Sequence, residues 1–310
     1  MVPRVSVIVP NYNHAPFLRQ RLESILGQTY RSFEIILLDD CSTDNSIEVL
    51  SRYENHEMVS ALIVNNENSR STFNQWKKGI ELARGEIIWI AESDDYIDLN
   101  FLETLVPLFD QYKSINLAFC QSKVVDEHDN VLRDNSRGDD VRIYQGASFI
   151  QDRMLLGNAI YNASMALFRK ESVTTAIISS LSTYRYCGDW LFWGKLLQNG
   201  DVCEFENSLN FFRSHSNNVS NSSEKEGLFF IEGYTVFLTL AKDISLIKKI
   251  RLIRSWSFKC LDSNFDSKTL LHIFTSNFPK NIMFILNFLL FNFSRLFNTK
   301  RFRLRHIIFI

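Results

Sequence analysis

Four short apolar runs in the first 91 residues constrain the fold of this chain more than any other feature. They occupy residues 5–9, 34–38, 60–64 and 87–91 and are rich in Val, Ile and Leu, as strands buried on both faces should be. Helix-like stretches lie between them. The first begins near Pro16, a residue suited to a first helical turn, and sets Leu18, Leu22, Ile25 and Leu26 on one face. The second is expected to follow Ser42 or Thr43 as an N-cap, with Ile47, Leu50 and Tyr53 periodic. The third spans about 71–83 and ends at Gly85. Repeated β-α-β units with short connections predict an α/β fold with a doubly wound, mostly parallel sheet. Ligands of such sheets bind outside the carboxyl ends of the strands. Three polar clusters fall there: Pro10-Asn11-Tyr12-Asn13, Asp39-Asp40-Cys41-Ser42 and Glu92-Ser93-Asp94-Asp95.

Several function classes are excluded by what the chain lacks. No G-x-G-x-x-G follows the first run and no G-x-x-x-x-G-K-[ST] occurs, which removes a dinucleotide fold and a P-loop NTPase. The net charge of −1 argues against a nucleic-acid binder that works by bulk electrostatics. Five cysteines, odd in number and without a C-x-x-C pair, fit neither a disulfide framework nor a zinc ribbon, and point to a reducing compartment. The first apolar run is too short for a signal peptide, and the uncharged apolar stretch near the other end, residues 281–294, falls short of the ~18–20 residues a membrane span needs. A soluble or surface-bound protein is expected.

Charge is unevenly distributed. Residues 242–310 carry 13 Lys/Arg against three Asp/Glu, a net of +10, whereas the first 241 residues carry a net of −11. With an Asn/Ser-rich stretch at 214–223, this asymmetry predicts two parts: a catalytic domain over residues 1–220 and a helical basic and apolar region over 221–310.

The strand-end clusters suggest a ligand. An acidic pair such as Asp94-Asp95 is a hard-oxygen set for Mg²⁺ or Mn²⁺, with ligand phosphates completing the shell. Asp40 suits a hydrogen bond from a base or a ribose hydroxyl, and Tyr12 offers a face for base stacking. Each cluster also has a purely structural reading. Acidic pairs form turns, Asp98 would cap a helix starting at Leu99, and Asp39-Asp40 would cap the second helix.

At these residues the sequence resembles a known family. The runs V-S-V-I-V-P-N-Y-N-H, S-I-L-G-Q-T-Y-R-S-F-E-I-I-L-L-D-D-C-S-T-D and G-I-E-L-A-R-G-E-I-I-W-I-A-E-S-D-D are similar to the N-terminal half of family 2 glycosyltransferases. The resemblance is close over residues 3–130 and looser to about 220. It implies a GT-A fold, a Rossmann-like nucleotide-sugar-binding domain with a D-x-D-type metal motif. It implies that Pro10 and Tyr12 line the uracil end of the pocket, that Asp40 bonds the base, that Asp94 sits by the ribose, and that Asp95 holds a divalent metal, Mn²⁺ or Mg²⁺. Two positions depart from the family pattern. The usual D-x-D-D reads Glu92-Ser93-Asp94-Asp95, and the arginine-asparagine pair before the glycine of the third helix is Trp76-Lys77.

Downstream, Asp189 in Tyr186-Cys187-Gly188-Asp189-Trp190 resembles the family's acidic position under the acceptor site, which implies a general base. It would stand at the start of a helix over 190–199 with Gly200 at the C′ position, where an N-cap role is the structural alternative. The stretch from Phe212 to Ser220 resembles the family's R-x-H-x-x-N-x-S segment, implying Arg213 on phosphate and His215 as a metal ligand or phosphate contact. Asn158 and Asn162 fall where the family receives its acceptor. The implied activity is metal-dependent, inverting transfer of a sugar from a UDP-linked donor to a glycan or lipid-linked hydroxyl in bacterial surface polysaccharide synthesis. The rivals are a nucleotidyltransferase, disfavoured by the missing glycine-rich basic loop, and a non-catalytic nucleotide-sugar-binding or membrane scaffold protein. In the basic tail, Leu246, Ile247, Ile250, Ile253 and Trp256 recur at helical spacing among Lys248, Lys249, Arg251 and Arg254. That pattern is expected on a peripheral protein of the inner, cytoplasmic membrane face, without nucleic acid as a partner.

Overall fold

The computed structural model describes residues 2–215, 227–263 and 265–277. The chain divides into two compact units, Met1–Asn218 and Val219–Ile310.

The first unit is built on a ten-stranded sheet. Its strands are β1 (Val5–Asn11), β2 (Phe33–Asp39), β3 (Val59–Val64), β4 (Ile87–Ile90), β5 (Tyr96–Ile97), β6 (Ile115–Val125), β7 (Val131–Asp134), β8 (Val141–Tyr144), β9 (Ala166–Arg169) and β10 (Asp201–Arg213). The order is β3-β2-β1-β4-β9-β6-β10-β5, with β7 on β6 and β8 on β10. β1 pairs in parallel with β2 and β4, and β2 with β3. Beyond the antiparallel β9, β6 and β10 return to the direction of β4, so six of the eight strands on this path run one way. The mostly parallel sheet expected from the apolar runs is present.

Every residue of β1, β2 and β4 is buried, which explains their mostly apolar character, and the polar exceptions inside the strands, Ser6 and Glu34, bond each other at 2.7 Å. β3 departs from that pattern and is half-exposed because it is the edge strand. The helices between these strands are α1 (Ala15–Leu26), α2 (Ser46–Ser51) and α3 (Thr72–Leu82). α2 starts later than a Ser42 or Thr43 cap would give. Ser42 is held by Asp39, and the Thr43 amide donates to Asn13 Oδ1 at 2.7 Å, so both residues serve the strand-end turn. α3 lies close on the sheet through Gly79, where a Cβ would come within 2.3 Å of the Ile8 side chain. The chain continues through α4 (Phe101–Leu105), α5 (Leu108–Gln111), α6 (Gly146–Phe149), α7 (Thr175–Ser179) and α8 (Gly188–Leu197). Asn100, not Asp98, occupies the N-cap position of α4.

One topological detail builds the site. The 13-residue β10 runs parallel beside β6 and, near its end, pairs antiparallel with β5, the strand that follows the Glu92–Asp95 turn. The end of β10 is thereby delivered beside that turn.

In the second unit, helices Leu228–Leu240, Leu246–Asp262 and Ser267–Asn277 are described. No helix among the described residues is long and apolar enough to cross a membrane. The uncharged run at 281–294, the later basic residues and the Asn/Ser segment after Ser216 lie outside the described residues.

Candidate active site

The parallel strands β1, β2 and β4 bring the three polar clusters to one rim. Asn11 pairs with Asp39 in the sheet register, and the Ala91 amide donates to the Ile8 carbonyl at 2.8 Å. Asn13 and Cys41, at the ends of β1 and β2, adopt left-handed φ values of 57° and 62°. Such values are uncommon outside glycine and mark turns fixed by their surroundings.

At the end of β4, two adjacent carboxylates point in different directions. Asp95 turns inward and is buried. It accepts hydrogen bonds from Asn162 Nδ2 (2.8 Å), Ser164 Oγ (2.7 Å) and the Arg213 amide (3.0 Å). Burial, reinforced by the charge of Asp94, pushes its carboxyl up to about 6. Asp94 faces two imidazoles instead. Its Oδ2 lies 3.1 Å from His215 Nε2 and 4.0 Å from His14 Nε2. Burial alone would raise the Asp94 carboxyl, but the charge of His14 and the hydrogen bond from His215 hold it below its ordinary range. His14 is fixed from behind by a 2.8 Å hydrogen bond between its Nδ1 and Ser93 Oγ.

Donor atoms of His14, Asp94 and His215 all lie within 4.8 Å of one another. Two imidazole nitrogens and one carboxylate oxygen form a donor set that fits a divalent first-row ion. A cavity of about 350 Å³ opens beside them, between the turn Asn13–Phe17, the hairpin tip at Glu127-His128 and His215. The sequence reading put Asp95 with His215. The structure groups Asp94 with His215, adds His14, and uses both oxygens of Asp95 within the protein.

Arg213, expected on phosphate, is held by partners within the protein. Its guanidinium is buried and donates to the carbonyls of Asp94 (2.9 Å) and Asp126 (3.1 Å) and to Gln20 Oε1 (2.6 Å). It also pairs with Asp129 at 2.7 Å and lies over the rings of Phe17 and Tyr96. These contacts make it a clamp joining α1, the β6–β7 hairpin and the acidic turn.

At the base end of the rim, Pro10 is buried within β1 and Tyr12 is exposed. Asp40 is buried and accepts four hydrogen bonds, from Asn65 Nδ2 (2.6 Å), the Ser69 amide (2.9 Å), Ser69 Oγ (2.9 Å) and Gln75 Nε2 (2.7 Å). It ties the loop before α3 to the end of β2.

On α8, Asp189 lies in the first turn, behind Cys187 at the N-cap position, where the helix dipole favours a negative charge. It accepts from Asn158 Nδ2 at 2.8 Å and from the Trp190 amide at 2.7 Å. Asn158 therefore keeps company with the candidate base. Asn162 does not, because it sits under Asp95 and accepts from Asn210. α8 ends at Leu197, and Gly200 packs against the Asn116 side chain rather than forming the expected C′ stop.

Comparison with known proteins follows from this geometry. The model of the family described as glycosyl transferase family 2 matches residues 6–175, more than half of the chain. The chain belongs to glycosyl transferase family 2. Glycosyltransferase GlyG of Streptococcus pneumoniae is 41% identical over 101 residues, 33% of each chain. The poly(ribitol-phosphate) β-N-acetylglucosaminyltransferase TarS of Staphylococcus aureus is 31% identical over 115 residues, 36% of this chain and 20% of TarS. These alignments span a third or less of the relatives' own length. In three dimensions, S. aureus TarS in complex with UDP-GlcNAc superposes with a TM-score of 0.63 at 17% identity, over 94% of this chain and 91% of the other. A mannosyltransferase of Pyrobaculum calidifontis, solved with GDP-Man and Mn²⁺, gives 0.59 at 16% identity, over 97% and 82%. The fold is the GT-A fold.

In this family 2 glycosyltransferase, the two departures from the family pattern meet. Trp76 Nε1 donates to Glu92 Oε1 at 3.0 Å, so the acid that is one methylene longer reaches the indole that replaces arginine. Burial, with the charge of Asp94 added, pushes the Glu92 carboxyl up to about 8. Behind them lies Arg21, fully buried and stacked on Trp89 at 4.9 Å. It donates to Ser164 Oγ at 3.1 Å, while its Nε and Nη1 have no hydrogen-bond partner among the described residues. Burial pushes its guanidinium down to about 10, partly offset by the charges of Asp95, Asp94 and Glu92. Sequence reasoning assigned no role to Arg21, Ser164 or His14. His14 alone carried a signal, as the last residue of the first family motif.

Proposed function

We propose that the chain is a metal-dependent, inverting glycosyltransferase that moves a sugar from a UDP-linked donor to a hydroxyl of a glycan or lipid-linked acceptor in bacterial surface polysaccharide synthesis. The observation that carries this reading is the cluster of His14, Asp94 and His215 on the carboxyl rim of the parallel sheet. Those three residues would hold the ion. Because Mg²⁺ prefers oxygen ligands, the two imidazoles favour Mn²⁺. A divalent ion in such a pocket supplies neutralisation of the departing diphosphate.

The remaining roles belong to the chain's own groups. Tyr12 offers its exposed ring to the base. Asp40, with its four donors, shapes the wall of that pocket. Asp95 and Arg213 keep the acidic turn in place. Asp189, oriented by Asn158, takes the proton of the acceptor hydroxyl as that oxygen bonds the anomeric carbon. The bond from the anomeric carbon to the diphosphate oxygen breaks on the opposite face, and the configuration inverts. The UDP assignment draws on TarS, whose solved structure holds UDP-GlcNAc, and GDP is the matched control because the mannosyltransferase holds GDP-Man. A peripheral position on the inner face of the cell membrane, where a lipid-linked acceptor is found, completes the reading.

Calorimetric titration of UDP and GDP, with Mn²⁺ and then with EDTA, tests it. UDP should bind only with metal, and Asp94→Ala should abolish that binding. Asp189→Asn should bind UDP normally while losing about 10²–10⁴ in turnover. Binding of neither nucleotide would overturn the reading, and normal turnover in Asp189→Asn would remove the assigned base.

A further inference from the structure

The helix Leu246–Asp262 of the second unit has two unlike faces. Ile253, Trp256, Ser257 and Cys260 are buried at helical spacing. Trp256 stacks on Phe229 at 5.1 Å and meets Phe230 and Tyr234 edge-on, which anchors this face on the helix Leu228–Leu240. The opposite stripe, formed by Ile247, Ile250, Arg251, Arg254 and Phe258, is exposed. Ile247 is 68% accessible and the adjoining Leu246 72%, too much for apolar side chains in a packed region. Arg254 lies 5.4 Å over the Phe258 ring on the same stripe. Neither Arg251 nor Arg254 pairs with an acid among the described residues.

The charge of this stripe selects its partner. The helix contains one acid, Asp262 at its end, and residues 242–310 carry a net of +10. A nucleic acid would satisfy the arginines and leave Leu246, Ile247 and Ile250 in water, and the described residues of the stripe offer a single aromatic ring, Phe258, rather than a row for base stacking. A bilayer of anionic lipids satisfies both, because its headgroups take the guanidinium groups and its acyl boundary takes the apolar side chains. We infer that the Ile247–Phe258 stripe docks this helix, lying flat, on an anionic lipid surface. The inference rests on the peripheral-membrane part of the proposed function and names the face responsible.

Flotation of the full chain with vesicles tests it. The protein should rise with vesicles containing phosphatidylglycerol, bind pure phosphatidylcholine at least about tenfold less, and be released by salt. Ile247→Glu with Ile250→Glu should lower vesicle binding about tenfold or more, with UDP binding in solution unchanged. Leu246→Ser with Ile247→Ser gives a milder variant in case the acidic pair disturbs folding, and Ser51→Glu, at the exposed end of α2 in the first unit, should bind as the native chain does. Undiminished flotation of both stripe variants would overturn the assigned face while leaving membrane association intact. A native chain that binds no vesicle would overturn both. Preference for a single-stranded oligonucleotide over anionic vesicles would overturn the lipid assignment.

Discussion

Two strands of the parallel sheet lead into the same dipeptide, β2 directly and β4 after a short turn, and the structure treats the two pairs differently. After β2, Asp39 accepts from Asn11, from the Ser42 amide and from Ser42 Oγ, and Asp40 accepts four further hydrogen bonds. Both carboxylates are buried and met by neutral donors. After β4, Asp95 is likewise met by neutral donors, with Arg21 nearby, whereas Asp94 meets imidazoles from α1's approach and from the end of β10. A saturated buried carboxylate organises loops. A carboxylate placed among two imidazoles shares lone pairs with them and can exchange that arrangement for an ion. The dipeptide alone does not distinguish these outcomes, because the partners come from distant segments.

The largest effect should separate the two ends directly. Asp94→Asn should abolish Mn²⁺-dependent UDP binding and reduce turnover by on the order of 10³-fold, the loss expected when several kcal/mol of charge stabilisation disappear. Asp40→Asn should act chiefly on stability, costing about 1–3 kcal/mol in urea unfolding because buried donors lose a charged acceptor. Asp95→Asn should likewise spare metal-dependent binding, because both Asp95 oxygens are taken up within the protein. Equal loss of metal-dependent binding in Asp40→Asn and Asp94→Asn would break the comparison.

The same contrast explains what could be read in the sequence. β1, β2 and β4 were legible because strands buried on both faces are predominantly apolar, with Ser6 and Glu34 as a mutually bonded exception. The rim followed from the rule for parallel sheets, and the motifs carried the family. The partition of Asp94 from Asp95 was not legible, because it depends on Ser164 and Asn162, about 70 residues away, and on β10 reaching β5. The start of α2 was misplaced for a related reason. Ser42 and Thr43 are good caps, but the strand-end turn occupies both. Arg213 had the residue type of a phosphate ligand, and its protein partners, from α1, the β6–β7 hairpin and the acidic turn, were not legible in the sequence.

A smaller effect should appear in the pH dependence of stability, and it again sets the β4 end apart. Glu92 has an ordinary value of 4.5 and is pushed up to about 8 in the folded chain, first by burial. Below 4.5 both states hold the proton. Between 4.5 and about 8 the unfolded chain has released it and the folded chain retains it, so stability falls as pH rises through this window. Asp95 adds the same sign between 3.8 and about 6. The metal-free protein should therefore have a higher urea midpoint at pH 5 than at pH 8, and Glu92→Gln should flatten the curve above pH 6. An unchanged slope in that variant would mean that Glu92 ionises normally.

The smallest effect concerns the contact between Trp76 and Glu92. Trp76→Phe keeps an aromatic ring against Phe73, Phe192 and Trp193 but removes the Nε1 donor. Loss of one such hydrogen bond is worth about 1 kcal/mol, or roughly a fivefold fall in kcat/KM if the contact orients Glu92 at the strand end. Glu92→Asp withdraws the acceptor by one methylene and should cost about as much. If the two residues act as one unit, the double variant should be no worse than either single variant. Additive losses would mean that Glu92 and Trp76 each answer to other partners. A coupled result would instead show that the acidic turn after β4 is tuned from α3 as well as from β10, whereas the pair after β2 meets α3 through Gln75 but receives nothing from β10 among the described hydrogen bonds.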